Sequence, residues 1–408
     1  MNNYLKTGLV ILVIASILPS FIGLGAEDKP VVKGIAYVAY NFSTKTGDIW
    51  LMDEDGFNKR NLTNHKADDT LPVWSPDGKQ IAFISDRDSK DKTYNLYVMD
   101  ADGSNQHRLS PIRVAYDWIA WSPDAKKIAF AGQSDDKDTN WNWEIYVIDT
   151  DGMNHKRLTD NSSDDVTPKW SPDGKKIAFI NDTRSPKKKR ETIEPGLVKK
   201  IICLIDPDGT NLISLVDFKT ATHRLKQDYP LCHNYQIVNW TPDSKKIVSS
   251  FTRDTHCEEC NDLCMAIWIV DIESKKVKSL TNNKYCEDYP HLSPDGKNIL
   301  FSAFNIFLLE RGCDSFVMGF DGQNQKKVSR INPINTGPGA SWSPDSKKLV
   351  MDSLNFYIGD KFEYHGIMDK FSSILYIFDT EWQFFTPKPL MPQDPNTAYI
   401  MPAWSPVK

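Results

Sequence analysis

Polar and apolar positions along this chain alternate in short blocks, and the blocks recur. One full unit runs Ile81-Ala82-Phe83-Ile84-Ser85, a polar loop, Asn95-Leu96-Tyr97-Val98-Met99-Asp100, a turn at Asp102-Gly103, and Gln106-His107-Arg108-Leu109. Each apolar block has strand length, is rich in β-branched and aromatic residues, and is bounded by turn residues. The next unit repeats the order with Ile128-Ala129-Phe130, Glu144-Ile145-Tyr146-Val147-Ile148-Asp149, Asp151-Gly152 and Arg157-Leu158-Thr159. Every unit is led by an anchor phrase, fullest at Trp170-Ser171-Pro172-Asp173-Gly174-Lys175-Lys176, which runs straight into Ile177-Ala178-Phe179-Ile180. The pattern predicts a four-stranded antiparallel meander, repeated.

The phrase returns at Trp74, Trp121, Trp240, Leu292 and Trp342 and breaks off at Trp404-Ser405-Pro406. Successive anchors are 47, 49, 70, 52, 50 and 62 residues apart, close to the roughly 40–50 residues of a propeller blade. The expected fold is therefore all-β: a seven-bladed β-propeller, whose blades leave only short, protected edges. The ends fix the count. Gly34-Ile35-Ala36-Tyr37-Val38, the Asp48 to Asp53 block and Arg60-Asn61-Leu62-Thr63 are three strands with no anchor before them, and Tyr399 to Trp404 is an anchor strand with none after. Pairing the C-terminal strand with the N-terminal blade closes the ring. In the anchor, Pro presets φ, Asp and Gly make the reversal, and the Trp would fill the space between blades. The Asp-x-Asp-Gly groups lack the further ligands of an EF-type calcium loop.

The Trp-Ser-Pro-Asp-Gly-Lys-Lys-Ile-Ala-Phe phrase, the Ile-Tyr-Val-Ile-Asp strand and the Asp-Gly turn before Arg-Leu-Thr resemble the WD40-like (PD40) propeller repeats of the TolB family, from about Gly34 to Trp404. The resemblance implies the fold and leaves function open, because such repeats serve binding proteins, tricorn-type proteases and relatives of prolyl oligopeptidase. TolB itself carries an α/β domain before six blades, whereas this chain passes from its leader to strands and counts seven.

Composition narrows the partners. A formal charge of −5 with 25% charged residues lacks the basic excess of nucleic-acid binders. Residues 1–26 place Lys6 before an apolar run from Gly8 to Leu18, then Pro19 and Gly23-Leu24-Gly25-Ala26, which reads as a signal peptide or, uncleaved, an N-terminal membrane anchor ahead of a single domain over 34–408. The protein is expected to be exported, periplasmic or extracellular, touching the membrane only through that segment. All 7 cysteines lie from Cys203 onward. In an oxidising compartment Cys232, Cys257, Cys260, Cys264, Cys286 and Cys313 read as disulfide candidates. The rival is a metal site on His256, Cys257, Cys260 and Cys264, and Cys203 reads as a small buried hydrophobe. Asn-x-Ser/Thr occurs at Asn41, Asn61, Asn161, Asn181 and Asn239.

In a meander of this kind, loops between second and third strands share a face with loops between blades. The long ones, 182–199, 252–264 and 354–372, are expected on that face, the last with Phe356, Tyr357, Phe362, Tyr364 and His365. Asp69, Asp117, Asp165 and Asp288 stand four or five positions before their anchors, at the expected mouth of the central channel. There they would hold a cation, water or a basic segment, or else cap loop amides. No Gly-x-Ser-x-Gly elbow, His-Glu-x-x-His helix or phosphate loop is present, so no catalytic residue is assigned. His223, His233, His256, His291 and His365 are scattered. The sequence reads as a non-enzymatic binding or scaffold protein for a protein, peptide or glycan. A metal-dependent lyase or hydrolase and a structural envelope protein are the alternatives.

Overall fold

The computed structural model describes residues 31–133, 142–183, 199–219, 238–252, 265–282, 286–304, 313–328, 340–356, 371–379, 388–390 and 396–407. Among these residues the elements are 28 strands, arranged as seven four-stranded antiparallel blades. Six blades are consecutive in sequence, led by Trp74, Trp121, Trp170, Trp240, Leu292 and Trp342. The seventh, the closing blade, is built from Ile35–Asn41, Thr46–Met52 and Arg60–Asn61 with Thr397–Trp404 as its first strand. Ile35 pairs with Trp404 and Asn41 with Thr397, so both chain ends make one sheet, as the repeat pattern predicts. A single parallel pair, Ser373 with Ala398, joins this blade to the Trp342 blade.

First strands of neighbouring blades approach one another, which places them innermost. In four of the first strands the residue three before the anchor adopts a left-handed conformation: Leu71, Thr167, Tyr289 and Met401 have φ of 56°, 54°, 52° and 53°. Each directly precedes a proline, and each marks a β-bulge that shifts the register against the second strand,. The bulge turns the start of the strand away from the plane of its sheet.

The anchor turns repeat bond for bond. At Trp74, Ser75 Oγ donates to Asp77 Oδ1 at 2.6 Å and accepts the Gln80 N–H at 2.9 Å, while Asp77 Oδ1 also accepts the Lys79 N–H at 3.1 Å. Ser171 and Asp173, and Thr241 and Asp243, do the same. The indoles then stitch blade to blade. Trp74, Trp121, Trp240 and Trp342 donate Nε1–H to the carbonyls of Ala403, Val73, Lys169 and His291, each the residue before the neighbouring anchor, at 3.0–3.1 Å. Leu292 has no indole to give, and at that joint Asn239 Nδ2 donates to Pro290 O at 2.7 Å. Apolar clusters fill the joints, as where Ala36, Ile49 and Leu51 meet Trp74, Ile81 and Phe83. Burial of such side chains contributes about 1.5–3 kcal/mol each.

Register separates two rims. Asp69 pairs with Ser85 and Ser85 with Asn95, so loops between blades and loops from second to third strand leave by one rim. The Ser-Pro-Asp turns occupy the other.

Candidate functional site

The loop rim is where the inner strands begin, and their acids are buried. Asp69 and Asp165 are 0% exposed and Asp288 is 5% exposed. Each is engaged by different partners. Asp69 is clamped by Arg87, whose Nε lies 3.0 Å from Oδ1 and Nη2 2.6 Å from Oδ2, with Arg87 Nη1 also donating to Gln106 Oε1 at 2.6 Å. The guanidinium stacks 5.3 Å over Phe83 and 5.6 Å over Tyr97. A bidentate charged pair of this kind is both oriented and neutralised.

Asp165 receives the side-chain amides of Asn161 and Asn181, each at 2.6 Å. Burial first, then the nearby Glu144, holds its carboxyl well above the usual carboxylate range,. Glu144 accepts from Thr159 Oγ1 at 2.6 Å, Asn142 Nδ2 at 2.7 Å, and Arg157 Nη2 and the Asn161 N–H at 3.0 Å each. Asn161 thus ties Glu144 on one blade to Asp165 on the next. Asp288 Oδ1 accepts from Ser250 Oγ of the preceding blade and from the Tyr289 N–H at 2.8 Å. Burial pushes its carboxyl up to about 6. Asp352 is also buried, takes the Met401 N–H at 3.1 Å on Oδ2, and is pushed up by burial to about 7.

Asp117 lies on the strand Arg113–Trp121, with its side chain outside the described residues, and Phe356 ends the strand Lys348–Phe356 in the same condition. Tyr357, Tyr364, His365, Cys232, Cys257, Cys260 and Cys264 also lie outside the described residues, as do His223, His233 and His256. Cys286 is buried, and its Sγ accepts the Met265 N–H at 3.3 Å. Cys286 and Cys313 both pair with Phe304 from opposite sides. That sets them two strand spacings apart, roughly 9–10 Å, beyond the reach of a disulfide between this pair. Cys203 is buried among aliphatics, as its sequence context predicts, with burial pushing its thiol up to about 12.

Arg87, Glu144, Ser250 and Asp352 are the site residues the repeat pattern does not announce. Ser250 and Asp352 are nonetheless visible as polar residues at a repeat position filled elsewhere by Ile84 and Ile180. Among the described residues no group of three or more His, Cys, Asp or Glu side chains is placed to hold a metal. No described helix is long and apolar enough to cross a membrane.

Oligogalacturonate lyase from Vibrio parahaemolyticus shares the fold with a TM-score of 0.56 and 12% identity, over 87% of this chain and 86% of that one. The β-propeller domain of the Trilobed protease from Pyrococcus furiosus matches with a TM-score of 0.50 and 17% identity, over 79% of this chain and 84% of that one. TolB from Acinetobacter baumannii is 21% identical with a TM-score of 0.48, over 74% of this chain, which spans 64% of that protein's length. At these identities the likeness is one of fold. No curated protein matches the sequence. Residues 34–189 match the family described as the TolB beta propeller domain, so the repeats over that stretch are of the TolB type, within a ring of seven blades.

Proposed function

We propose that this protein is an exported, non-enzymatic binding module that captures a protein or peptide partner on its loop rim. The observation that carries the reading is the division of labour between the rims. On the turn rim one hydrogen-bonded turn is repeated at six of the seven anchors, so it offers little to distinguish those blades. On the loop rim the blades differ: one repeat position carries an ion-paired carboxylate at Asp69 and an amide-bound one at Asp165, and the next position carries a serine-bound carboxylate at Asp288 where the other two blades have Thr70 and Val166. Rigid scaffolds commonly place recognition on variable loops.

The test is capture from an envelope extract by the intact protein and by a variant lacking residues 357–370. The deletion is expected to leave the melting transition in place and to abolish co-purification of a stoichiometric partner. Undiminished capture overturns the assignment to this rim. A stoichiometric transition metal in the purified protein, together with cleavage of a polyuronate, replaces the reading with a metal-dependent lyase.

A further inference from the structure

Asp69 and Asp165 occupy the same repeat position, five residues before Trp74 and Trp170, and both are 0% exposed. Their second-strand partners are Ser85 and Asn181. In the first blade the residue two beyond Ser85 is Arg87, which delivers a fixed guanidinium to Asp69. In the other, the residue two beyond Asn181 is Thr183. Asp165 therefore has the burial of Asp69 without its counter-ion.

The surroundings deepen the deficit. Glu144 stands beside Asp165, and Arg157, the cation on Glu144 at 3.0 Å, also serves Asp160 at 2.6 Å. An uncompensated buried carboxylate is costly, and proteins place such groups where a cation or a proton completes them. A second sign points to a missing ligand. Asn142 is 1% exposed, its Nδ2 is held by Glu144 Oε1, Asn161 O and Ser163 O at 2.6–2.8 Å, and its Oδ1 meets no donor. Thr167 Oγ1, two residues from Asp165, is buried and equally without a partner.

We propose that the joint between the Trp121 and Trp170 blades binds one calcium-like divalent cation through Asp165, Glu144 and the amide oxygens of Asn142, Asn161 and Asn181. A half-turn of the Asn161 and Asn181 amides exchanges nitrogen for oxygen toward Asp165 and converts two donors into two ligands. Carboxylate, amide and hydroxyl oxygens are the donor set of a hard cation, and a loosely shaped set of this kind suits calcium better than magnesium, which demands near-octahedral geometry. The ion would do for Asp165 what Arg87 does for Asp69. The inference does not depend on the proposed partner, since it concerns a joint inside the ring, and its experiment contains none.

The experiment uses the whole protein stripped with EDTA and titrated with calcium chloride, read by calorimetry and thermal melting. One saturable site is expected, half-filled at ~0.1–1 mM as in extracellular modules, with a rise in melting temperature that magnesium reproduces only weakly. Asp165→Asn should weaken binding by at least ~10-fold. Thr183→Arg, which offers Asp165 the guanidinium that Asp69 already has, should keep the fold and lose the calcium response. No shift in the wild type, or the same shift in Asp165→Asn, overturns the site. A non-saturating rise common to all variants means adventitious surface binding only and also overturns it. Should Asp165→Asn fail to fold, a full calcium response in Thr183→Arg is the overturning result.

Discussion

The tenth residue after each of the six leading anchors, and Val38 in the closing blade, faces a joint of the ring, and the blades divide into two groups there. In the closing, Trp74, Trp121 and Trp170 blades it is Val38, Ile84, Ala131 and Ile180. In the Trp240, Leu292 and Trp342 blades it is Ser250, Ser302 and Asp352, all buried. The third-strand partners are Ile49, Leu96, Ile145 and Ile202 in the first group and Ile267, Ser315 and Leu375 in the second. Aliphatic joints hold by non-directional burial. Polar joints hold by particular bonds, Ser250 to Asp288 and Asp352 to the Met401 N–H, while Ser302 Oγ and Ser315 Oγ are buried without a partner. The difference teaches that one repeat can be closed in two ways, and that the second way trades packing for direction.

Four experiments test that contrast. Giving an aliphatic joint the chemistry of a polar one, by Ile180→Ser, should cost about 3–5 kcal/mol from lost packing and an unpaired hydroxyl. Urea denaturation measures it, and a loss below about 1 kcal/mol would show that the two kinds of joint are interchangeable.

Next in size is pH. Burial raises Asp352 to about 7 in the folded chain, above its unfolded value near 3.8. The neutral acid is therefore the form the fold prefers. Its contribution is full below pH 4, and is lost as pH rises from about 4 to about 7, by at most about 1.4 kcal/mol per unit. Asp352→Asn should remove its share of the slope over that window and leave the shares of Asp165 and Asp288, and an unchanged profile would place the dependence on those two.

The indole stitches rank third. Trp121→Phe removes the bond to Val73 O and should cost about 1 kcal/mol beyond any packing change. Trp170→Phe should cost less, because the Trp170 Nε1–H is buried with no acceptor. Equal losses in paired melts would refute the stitch. Smallest is Ser302→Ala, which deletes an unpartnered hydroxyl and should stabilise by up to about 1 kcal/mol. A loss would mean that the hydroxyl is satisfied in solution.

How much of this the chain discloses depends on the range of the physics. The turn at Ser75-Pro76-Asp77-Gly78 is written in adjacent residues, because Asp77 bonds Ser75 and Lys79, and so the blades and their number are legible directly. The recurring Leu-Thr is legible once its purpose is known, since Thr63 and Thr159 hydroxyls accept the Ile49 and Ile145 N–H at 2.9 Å. The site is harder. A count of four or five residues before the anchor merges two positions, and at Leu292 these carry Glu287 opposite Ala303 and Asp288 opposite Ser302. Pairing then skips between Asp288 and His291, around Tyr289 in its left-handed conformation, and no hydrophobic pattern records that skip. Arg87 and Glu144 reach their partners across strands and blades. Their role is decided by which side of a bulge faces them, so composition alone is silent on it.

The pairing of Ile35–Asn41 with Thr397–Trp404 has a consequence for biogenesis. A ribosome delivers the strand Ile35–Asn41 long before its partner Thr397–Trp404. Until that partner arrives the inner edge of Ile35–Asn41, with buried-type side chains Ile35, Ala36, Tyr37 and Val38, stands as an open template for pairing with a neighbouring nascent chain,. Joining ends so far apart costs little more entropy than joining nearer ones, because the penalty grows only with the logarithm of length. Completion is therefore a matter of timing more than of energy, and the vulnerable species is the nearly finished ring awaiting its last eight-residue strand.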